Sequence, residues 1–194
     1  MSTPHEAIRS DDVLGPFVDR YGELELDPDP DMFRRLVVSV LRQQVSMASA
    51  EATRARLFET VEVTPAGVLE ADPETLRDCG LSRQKAEYVR NVATAFDDEY
   101  DRAYFVGLSD ERVIEELTTI KGIGEWTARM QLLFSLGRPD VFPIGDLGVR
   151  KGMRSLFDPE MTREAMVSEA ERWAPYRSYA TLYLWRIADD DTSA

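Results

Sequence analysis

Helix-capping residues recur along this sequence and restrict what it can fold into. Five segments begin with a Ser, Thr or Asp followed by apolar residues at helical spacing or by a proline suited to a first helical turn. These starts are Asp31, Thr64-Pro65, Asp72-Pro73, Ser82 and Ser109. We find no sustained alternation of apolar and polar residues, which strands would require. The pattern therefore predicts an all-α fold of about ten short helices.

The remaining predicted helices extend over most of the chain. The first thirty residues are predicted to hold one short helix around 13–21, after a disordered terminus in which the single histidine, His5, is inert. Gly80 is a predicted helix stop. A helix break is expected near Ser46. Further helices are predicted at Ser49–Val61, Glu125–Leu136, Leu147–Phe157, Thr162–Trp173 and Arg177–Ile187.

Composition excludes several classes of protein. The chain has 194 residues, 43% of them hydrophobic, which is enough for a compact core. A single cysteine, Cys79, excludes a disulfide framework, a zinc ribbon and a four-cysteine iron–sulfur cluster. We see no run that could span a bilayer and no secretory signal, so a reducing cytoplasmic location is expected.

The net charge of −13 argues against nucleic-acid binding, because phosphate contacts need Lys and Arg. Two details weaken that argument. Acidic residues concentrate at 27–31, 97–101 and 189–191, and the only lysines are Lys85, Lys121 and Lys151. An acidic, lysine-poor surface resembles that of proteins from high-salt cytoplasm, where surplus charge maintains solubility. Adaptation to high salt is our hypothesis for this charge.

A Gly-x-Gly turn joins two predicted helices at Ile120–Gly124. Glycine permits positive φ and close backbone approach. The amides of Gly122, Gly124 and Glu125 would then lie at a helix start, where they can bind a phosphate without reading base sequence. A plain helix connection is the alternative, and the local pattern alone favours it. Likewise Asp146, which follows Pro143-Ile-Gly, has the local pattern of an ordinary N-cap.

Five collinear segments resemble one family. They read Leu117-x-x-Ile-x-Gly-Ile-Gly-x-Trp-Thr-Ala128, Leu41-Arg-Gln-Gln-Val-Ser46, Gly80-Leu-Ser-Arg-Gln-Lys-Ala-Glu-Tyr88, Val141-Phe-Pro-Ile-Gly-Asp-Leu-Gly-Val-Arg150 and Trp173–Trp185. This set resembles the helix–hairpin–helix base-excision DNA glycosylase superfamily, and within it the 3-methyladenine DNA glycosylase II (AlkA-type) branch. The resemblance covers residues 30–188.

The resemblance implies two helical lobes with a cleft between them for DNA. We expect a six-helix lobe at 30–132 that includes the hairpin, and a second lobe from 1–29 plus 133–194 that carries Asp146. The implied function is monofunctional hydrolysis of the N-glycosidic bond of alkylated purines in base excision repair. The alternatives are a non-catalytic damaged-DNA-binding protein on the same fold and a glycosylase for uncharged lesions.

The family's essential aspartate matches Asp146. A carboxylate stabilises the positive charge that develops on the sugar and can activate water. One acid suffices because an alkylated purine is already cationic and needs no proton to leave. Family members that also nick the backbone carry a lysine nucleophile where this chain has Trp126, so a Schiff-base lyase step is not expected.

Further site residues follow from the same resemblance. The base pocket is expected from Trp185 and Trp126, with Tyr179, Tyr183 and Met130; for the two tyrosines ordinary core packing is the favoured alternative. Gln43, Gln44 and Ser46 are expected at the minor groove, with Gln44 filling the gap left by the flipped base or hydrogen-bonding the orphaned base. An equally favoured alternative is that the two glutamines are a buried polar pair that bonds to a helix end. Thr127 is also a predicted DNA contact. The remaining predicted contacts are charged, and solvated surface charge is the alternative for them: Arg83, Lys85, Arg150 and Lys151.

The expected partner is double-stranded DNA containing a damaged base, and a monomer suffices. No cofactor is required, and neither zinc nor an iron–sulfur cluster is expected. The family implies a monovalent cation, Na⁺ or K⁺, on the hairpin carbonyls of Thr118, Ile120 and Ile123. The expected location is the cytoplasm, associated with the nucleoid.

Overall fold

The structure, a computed structural model, describes residues 3–193, with side chains up to Asp190. The α-helices are α1 (Pro4–Arg9), α2 (Gly15–Tyr21), α3 (Met32–Arg42), α4 (Met47–Thr60), α5 (Pro65–Glu70), α6 (Pro73–Asp78), α7 (Arg83–Asp98), α8 (Arg102–Val106), α9 (Asp110–Thr119), α10 (Glu125–Phe134), α11 (Leu147–Leu156), α12 (Arg163–Ala170) and α13 (Arg177–Ser193). A 3-10 turn, Glu171–Trp173, follows α12. This part of the chain contains no strand, so the all-α prediction is confirmed, although about ten helices was too few.

The predicted caps begin the helices they were expected to begin. The side chain of each one accepts a backbone N–H from the first turn of its helix; these caps are Asp31, Thr64, Asp72, Ser82 and Ser109. Gly80 follows α6 with a φ of +105°, as a helix stop requires. Ser46 caps α4, which accounts for the predicted break. Local capping chemistry thus positions most of the helices.

The first thirty residues depart from the prediction. They form two helices, because Thr3 and Glu6 make a capping box around Pro4 and nucleate α1. His5 is therefore not in a disordered terminus. Its side chain is 12% exposed, and its ring N–H lies 3.1 Å from the carbonyl of Leu24, to which it donates.

Two other differences concern short or terminal helices. α8 was not predicted, and it begins at Asp101, whose side chain accepts the N–H of Tyr104. α13 continues beyond the predicted end at Ile187 to Ser193. The side chain of Asp191, in the predicted acidic cluster, lies outside the described residues.

The chain forms two compact units. The hairpin unit is Asp29–Leu136, and the aspartate unit combines the chain up to Pro28 with the chain from Gly137 onward. The lobe predicted at 30–132 lies inside the hairpin unit, which has eight helices rather than six. The predicted second lobe includes residues 1, 2 and 194, which lie outside the described residues.

The hairpin unit is built around α7. This helix packs against α3, α5 and α6, while α10 packs against α3 and α9. The apolar stripe of α7 is buried; it consists of Ala86, Val89, Val92 and Ala93. Burying such a face, at roughly 25 cal/mol per Å² of apolar surface, is what stabilises short helices like these.

The aspartate unit is built around α13, which packs against α1 and along the length of α11. Its core contains Leu14, Val149, Met153, Trp173 and Leu184. The pairing of α11 with α13 positions the segment that begins at Asp146. Among residues 3–193, none of the helices combines the length and the apolar character needed to cross a bilayer.

Candidate active site and DNA-binding surfaces

Asp146 is the N-cap of α11, as its local sequence predicted. Its Oδ1 accepts the backbone N–H of Val149 at 3.0 Å. The same oxygen accepts a second hydrogen bond, from the indole N–H of Trp185, at 2.8 Å. The N-cap and functional interpretations of this aspartate are therefore compatible, because the capping oxygen is also bonded to an aromatic residue predicted for the base pocket.

The loop before Asp146 is held by a side chain from α11. Nη1 of Arg150 donates to the carbonyl of Ile144 at 3.0 Å and to that of Gly145 at 2.6 Å. Arg150 was predicted to contact phosphate. In the structure its side chain holds the loop that leads to Asp146. Its neighbour Lys151 is exposed.

Two glycines let α11 approach α13 closely. A Cβ on Gly148 would lie 2.7 Å from Cδ1 of Trp185 and 3.2 Å from Oδ1 of Asp146. A Cβ on Gly152, one turn later, would lie 2.4 Å from the carbonyl oxygen of Leu184. Sequence reasoning missed both residues, although their spacing of four places them on the same face of α11.

The aromatic residues predicted for the base pocket fall into different environments. Trp185 is half-buried beside Asp146. Tyr183 is 0% exposed, and its hydroxyl donates to Gly22 and accepts from the N–H of Leu24. The structure therefore places Tyr183 in the core, which was the favoured alternative.

Tyr179 is half-buried, and its ring makes an edge contact with the ring of His5. Burial, together with the nearby carboxylate of Glu25, raises the pKa of Tyr179. Trp126 and Met130 belong to the hairpin unit, on α10. Trp126 is 38% exposed, whereas Met130 is buried.

The Gly-x-Gly turn, Ile120–Gly124, connects α9 to α10. Gly122 has a φ of +108° and lies against Tyr88, so that a Cβ would come within 2.3 Å of the ring. The side-chain amide of Gln43 donates to the carbonyl of Gly122 at 3.0 Å, and that of Asn91 donates to Lys121 at 3.1 Å. Gln43 therefore braces the turn.

α10 begins without a capping side chain. Its N-cap is Gly124, which makes no side-chain hydrogen bond and has nothing within 4 Å of where a Cβ would lie. Glu125, in the first turn, pairs with Arg129 at 2.7 Å. The side chain of Thr127 is buried, so this residue would contact a ligand at the helix start through its backbone amide. The uncapped first amides of α10 are therefore available to an anion, and the anion site at this turn stays a prediction.

A second loop, Gln43–Ser46, lies near the same turn. Among the described residues, Gln44 is the one non-glycine with positive φ, at +56°, and it is exposed. A cavity of about 420 Å³ is lined by Gln43, Gln44, Val45, Gly80, Ser82, Gln84, Lys85, Tyr88 and Gly122. A strained, exposed glutamine is typical of a functional turn.

The two predicted cations of this region differ. Lys85 donates to the carbonyl of Leu41 at 2.6 Å, and its partial burial lowers its pKa. Arg83, at the start of α7, is exposed. Of the two, Arg83 has the surroundings expected of a phosphate contact.

The chemistry available at these sites includes that of backbone amides, aromatic rings and the carboxylate of Asp146. Within residues 3–193, the structure contains no cluster of three His, Cys, Asp or Glu side chains that could hold a metal ion. The hairpin carbonyls are the other candidate ligands. The carbonyl of Ile120 accepts the N–H of Ile123 at 2.9 Å, which uses one of its two lone pairs.

Comparison with known proteins finds similar sequences and similar solved structures. A family model described as "HhH-GPD superfamily base excision DNA repair protein" matches residues 37–177. The chain is similar to the crystal structure of a DNA-3-methyladenine glycosidase from Bacillus halodurans. The two are 34% identical with a TM-score of 0.87, over 99% of this chain and 92% of that one.

Two further relatives define the extent of the match. The 3-methyladenine DNA glycosylase Mag1 of Schizosaccharomyces pombe, solved in complex with abasic DNA, is 31% identical with a TM-score of 0.82; the match covers 95% of this chain and 96% of that one. The Bacillus subtilis protein YfjP is 35% identical over 125 residues, which are 63% of this chain and 44% of YfjP. The match thus spans less than half of YfjP.

Proposed function

This chain belongs to the HhH-GPD superfamily of base excision DNA repair proteins, and from that premise we propose that it is a monofunctional DNA glycosylase. Its substrates are alkylated purines of the 3-methyladenine type in double-stranded DNA, and its product is an abasic site. The observation that carries the proposal is Asp146, whose carboxylate is fixed at a helix start beside Trp185. The relatives named above as 3-methyladenine glycosylases support the substrate class.

The chemistry needs one negative charge near the sugar. As the N-glycosidic bond lengthens, the sugar gains oxocarbenium character, and the carboxylate of Asp146 stabilises it. The same group orients the attacking water and accepts its proton. A 3-alkylated or 7-alkylated purine carries a positive charge before the reaction, so it leaves without a general acid.

The aromatic residues give the proposed base pocket its selectivity for cations. A cationic base stacked on an indole gains a cation–π interaction of about 2 kcal/mol when desolvated. Trp185 is the first candidate, since it lies beside Asp146, and the exposed Trp126 is the second. Tyr179 is half-buried, so it contributes at most the edge of its ring to the proposed base pocket.

DNA is held through its phosphates. The uncapped start of α10 supplies amides from Gly124 onward, and Arg83 and Lys151 add charge. The exposed turn at Gln44 enters the minor groove and fills the space left by the flipped base. The positive charges of Arg83 and Lys151 offset a net charge of −13 that is unfavourable for DNA binding.

Trp126 excludes a lyase step at its position. A Schiff base requires a lysine amine, and Lys121 instead pairs with Glu87 at 2.6 Å. We therefore propose simple hydrolysis, with the DNA backbone left intact.

We also propose a monovalent cation at the hairpin. The carbonyl oxygens of Thr118, Ile120 and Ile123 are the donors it would use, and neutral carbonyl oxygens suit a hard cation. Such an ion would add positive charge next to the bound phosphate. No cofactor takes part in the proposed hydrolysis.

The location follows from the substrate. Because the proposed substrate is damaged DNA, we place the protein at the nucleoid in the cytoplasm. The acidic surface then reflects a high-salt interior, in which screening reduces repulsion between the protein and DNA.

Base release tests the proposal. Purified protein is incubated with methylated duplex DNA at low and at high KCl, and released bases are identified by mass spectrometry. We expect free 3-methyladenine or 7-methylguanine, an intact backbone until alkali is added, and no borohydride-trapped adduct.

Three results would contradict the proposal in different ways. Tight binding to damaged DNA without base release supports the non-catalytic alternative. A borohydride-trapped adduct overturns the monofunctional mechanism. Release of uncharged bases at rates equal to those of methylated bases overturns the argument from leaving-group charge.

A further inference from the structure

α11 and α13 meet in an arrangement that joins Asp146 to Trp185. The two residues are 39 positions apart in the chain, yet the indole Nε1 lies 2.8 Å from Oδ1 of the carboxylate. Gly148 makes this approach possible, since a Cβ there would collide with the indole at 2.7 Å. A glycine inside a helix costs about 1 kcal/mol relative to alanine, so its presence here is consistent with a demand for close packing.

We propose that Trp185 is a positioning residue for Asp146, which acts through its indole N–H rather than only as a wall against which the base stacks. The proposal rests on the proposed glycosylase function and adds a second task to the aromatic pocket. Gly148 is part of the same arrangement, because its lack of a side chain leaves room for the indole beside the carboxylate.

Comparison with another N-cap in the same chain shows what Trp185 adds. Asp101 caps α8 by accepting the N–H of Tyr104 at 2.7 Å, the ordinary bond between a capping residue and its helix. Asp146 accepts the equivalent bond from Val149 at 3.0 Å and a second one from a different helix. Capping alone does not require that second donor.

Two donors on one oxygen fix the carboxylate in a way that one donor cannot. The N–H of Val149 holds Oδ1 toward the helix, and the N–H of Trp185 meets it from α13, so rotation about the Cβ–Cγ bond is restricted. The orientation of the carboxylate is thereby set in advance, which is the preorganisation that electrostatic catalysis needs.

The chemical nature of the donor also matters. An indole N–H donates and never accepts, and it does not exchange its proton with a carboxylate at ordinary pH. Trp185 therefore donates to Asp146 without competing for the proton that the attacking water gives up. Tyr or His at this position could accept as well as donate.

The central test is a double-mutant cycle. Trp185→Phe keeps an aromatic face but removes the N–H. We expect single-turnover base release to slow roughly tenfold, as loss of a hydrogen bond to a charged group predicts, while the Kd for abasic product DNA changes less than about twofold. In an Asp146→Asn background, Trp185→Phe should have little further effect, because it acts through that carboxylate.

Two other variants provide a control and a second test. Trp173→Phe is the matched control, since Trp173 is buried in the same unit and its Nε1 has no hydrogen-bond partner among the described residues; we expect its release rate to equal that of wild type. Gly148→Ala should slow release as Trp185→Phe does, because it displaces the indole.

A measurement on the free protein avoids dependence on very slow variants. In ¹⁵N-labelled protein the indole N–H resonance of Trp185, assigned with Trp185→Phe, should shift upfield in Asp146→Asn, while that of Trp173 should not move. An unmoved Trp185 resonance overturns the proposal.

The kinetic outcomes separate the two levels of inference. If wild type releases base and Trp185→Phe matches it, or slows release equally in both backgrounds, the positioning role is wrong and the glycosylase function stands. If wild type releases no base, both are wrong.

Discussion

Two helices of this protein begin in opposite ways. α10 starts at Gly124, where no side chain caps the first amides. α11 starts at Asp146, whose own carboxylate occupies that position and bonds to Val149. Both helix starts carry the partial positive charge of the helix dipole. The first is open to an external anion, and the second already holds an anion that belongs to the chain.

The difference assigns the two starts to different tasks. An open start offers amides to a DNA phosphate and binds without chemistry. A start filled by a carboxylate repels phosphate and holds a negative charge for use at a sugar. On the proposed function, the same helix-end electrostatics would serve binding in the hairpin unit and catalysis in the aspartate unit.

The packing behind Asp146 gives the largest expected effect on stability. Gly152→Ala forces a Cβ against the backbone carbonyl of Leu184, which cannot move without shifting α13. We expect a loss of about 3 kcal/mol in the free energy of unfolding, measured by urea denaturation, since overpacking commonly costs 1–3 kcal/mol. Gly148→Ala meets a side chain, which can rotate, so its cost should be roughly 1 kcal/mol. Equal costs for the two variants would contradict the packing account.

Converting one helix start into the other tests the comparison itself. Gly124→Asp gives α10 a carboxylate N-cap like that of α11, and there is space for the side chain. Binding to abasic DNA, measured by fluorescence anisotropy, should weaken roughly thirtyfold because like charges oppose each other, while thermal stability is kept or rises. Gly124→Asn is the control, since it caps without charge and should bind far better than the aspartate variant. Equal binding by both variants would show that phosphate does not meet this helix start.

Salt should distinguish the two sites by a smaller effect. Raising KCl weakens phosphate contacts, so the Kd for DNA should rise as a power of the salt concentration. The single-turnover rate constant at saturating protein reports the step at Asp146, and we expect it to change less than about twofold over the same range. A rate constant that falls in parallel with affinity would mean that Asp146 acts through phosphate binding.

The high-salt hypothesis makes its own prediction. Repulsion among the surplus carboxylates is screened by KCl, so the midpoint of thermal unfolding should rise by several degrees between about 0.1 M and 2 M KCl. Unfolding experiments monitored by circular dichroism measure this directly. Maximal stability in dilute buffer would contradict the hypothesis.

Much of the helical framework could be predicted from sequence because capping is local. Asp31, Ser82 and Ser109 each bond to an amide three residues away, so their signal lies within one turn. α1 carried a comparable signal in Thr3 and Glu6, and it was missed because terminal residues are commonly disordered. α8 spans only Arg102–Val106, too few residues to show a period.

The site itself could be predicted only in part. Asp146 was assigned by resemblance, since its local sequence indicates no more than a cap. Its bond to Trp185 joins helices that are adjacent only in the fold, and no spacing rule connects the two residues. Tyr183 is similar, because its hydroxyl bonds to Gly22, 161 positions earlier.

The most direct test of the central claim compares two Asp→Asn substitutions at helix N-caps. Asn caps a helix as well as Asp, so both Asp146→Asn and Asp101→Asn should fold with near wild-type stability. Single-turnover release of 3-methyladenine should fall roughly a thousandfold in Asp146→Asn, the scale on which preorganised charge acts in catalysis. Release by Asp101→Asn should match wild type. Equal release by wild type and Asp146→Asn would contradict the account, because the charge at that helix start would then have no part in breaking the glycosidic bond.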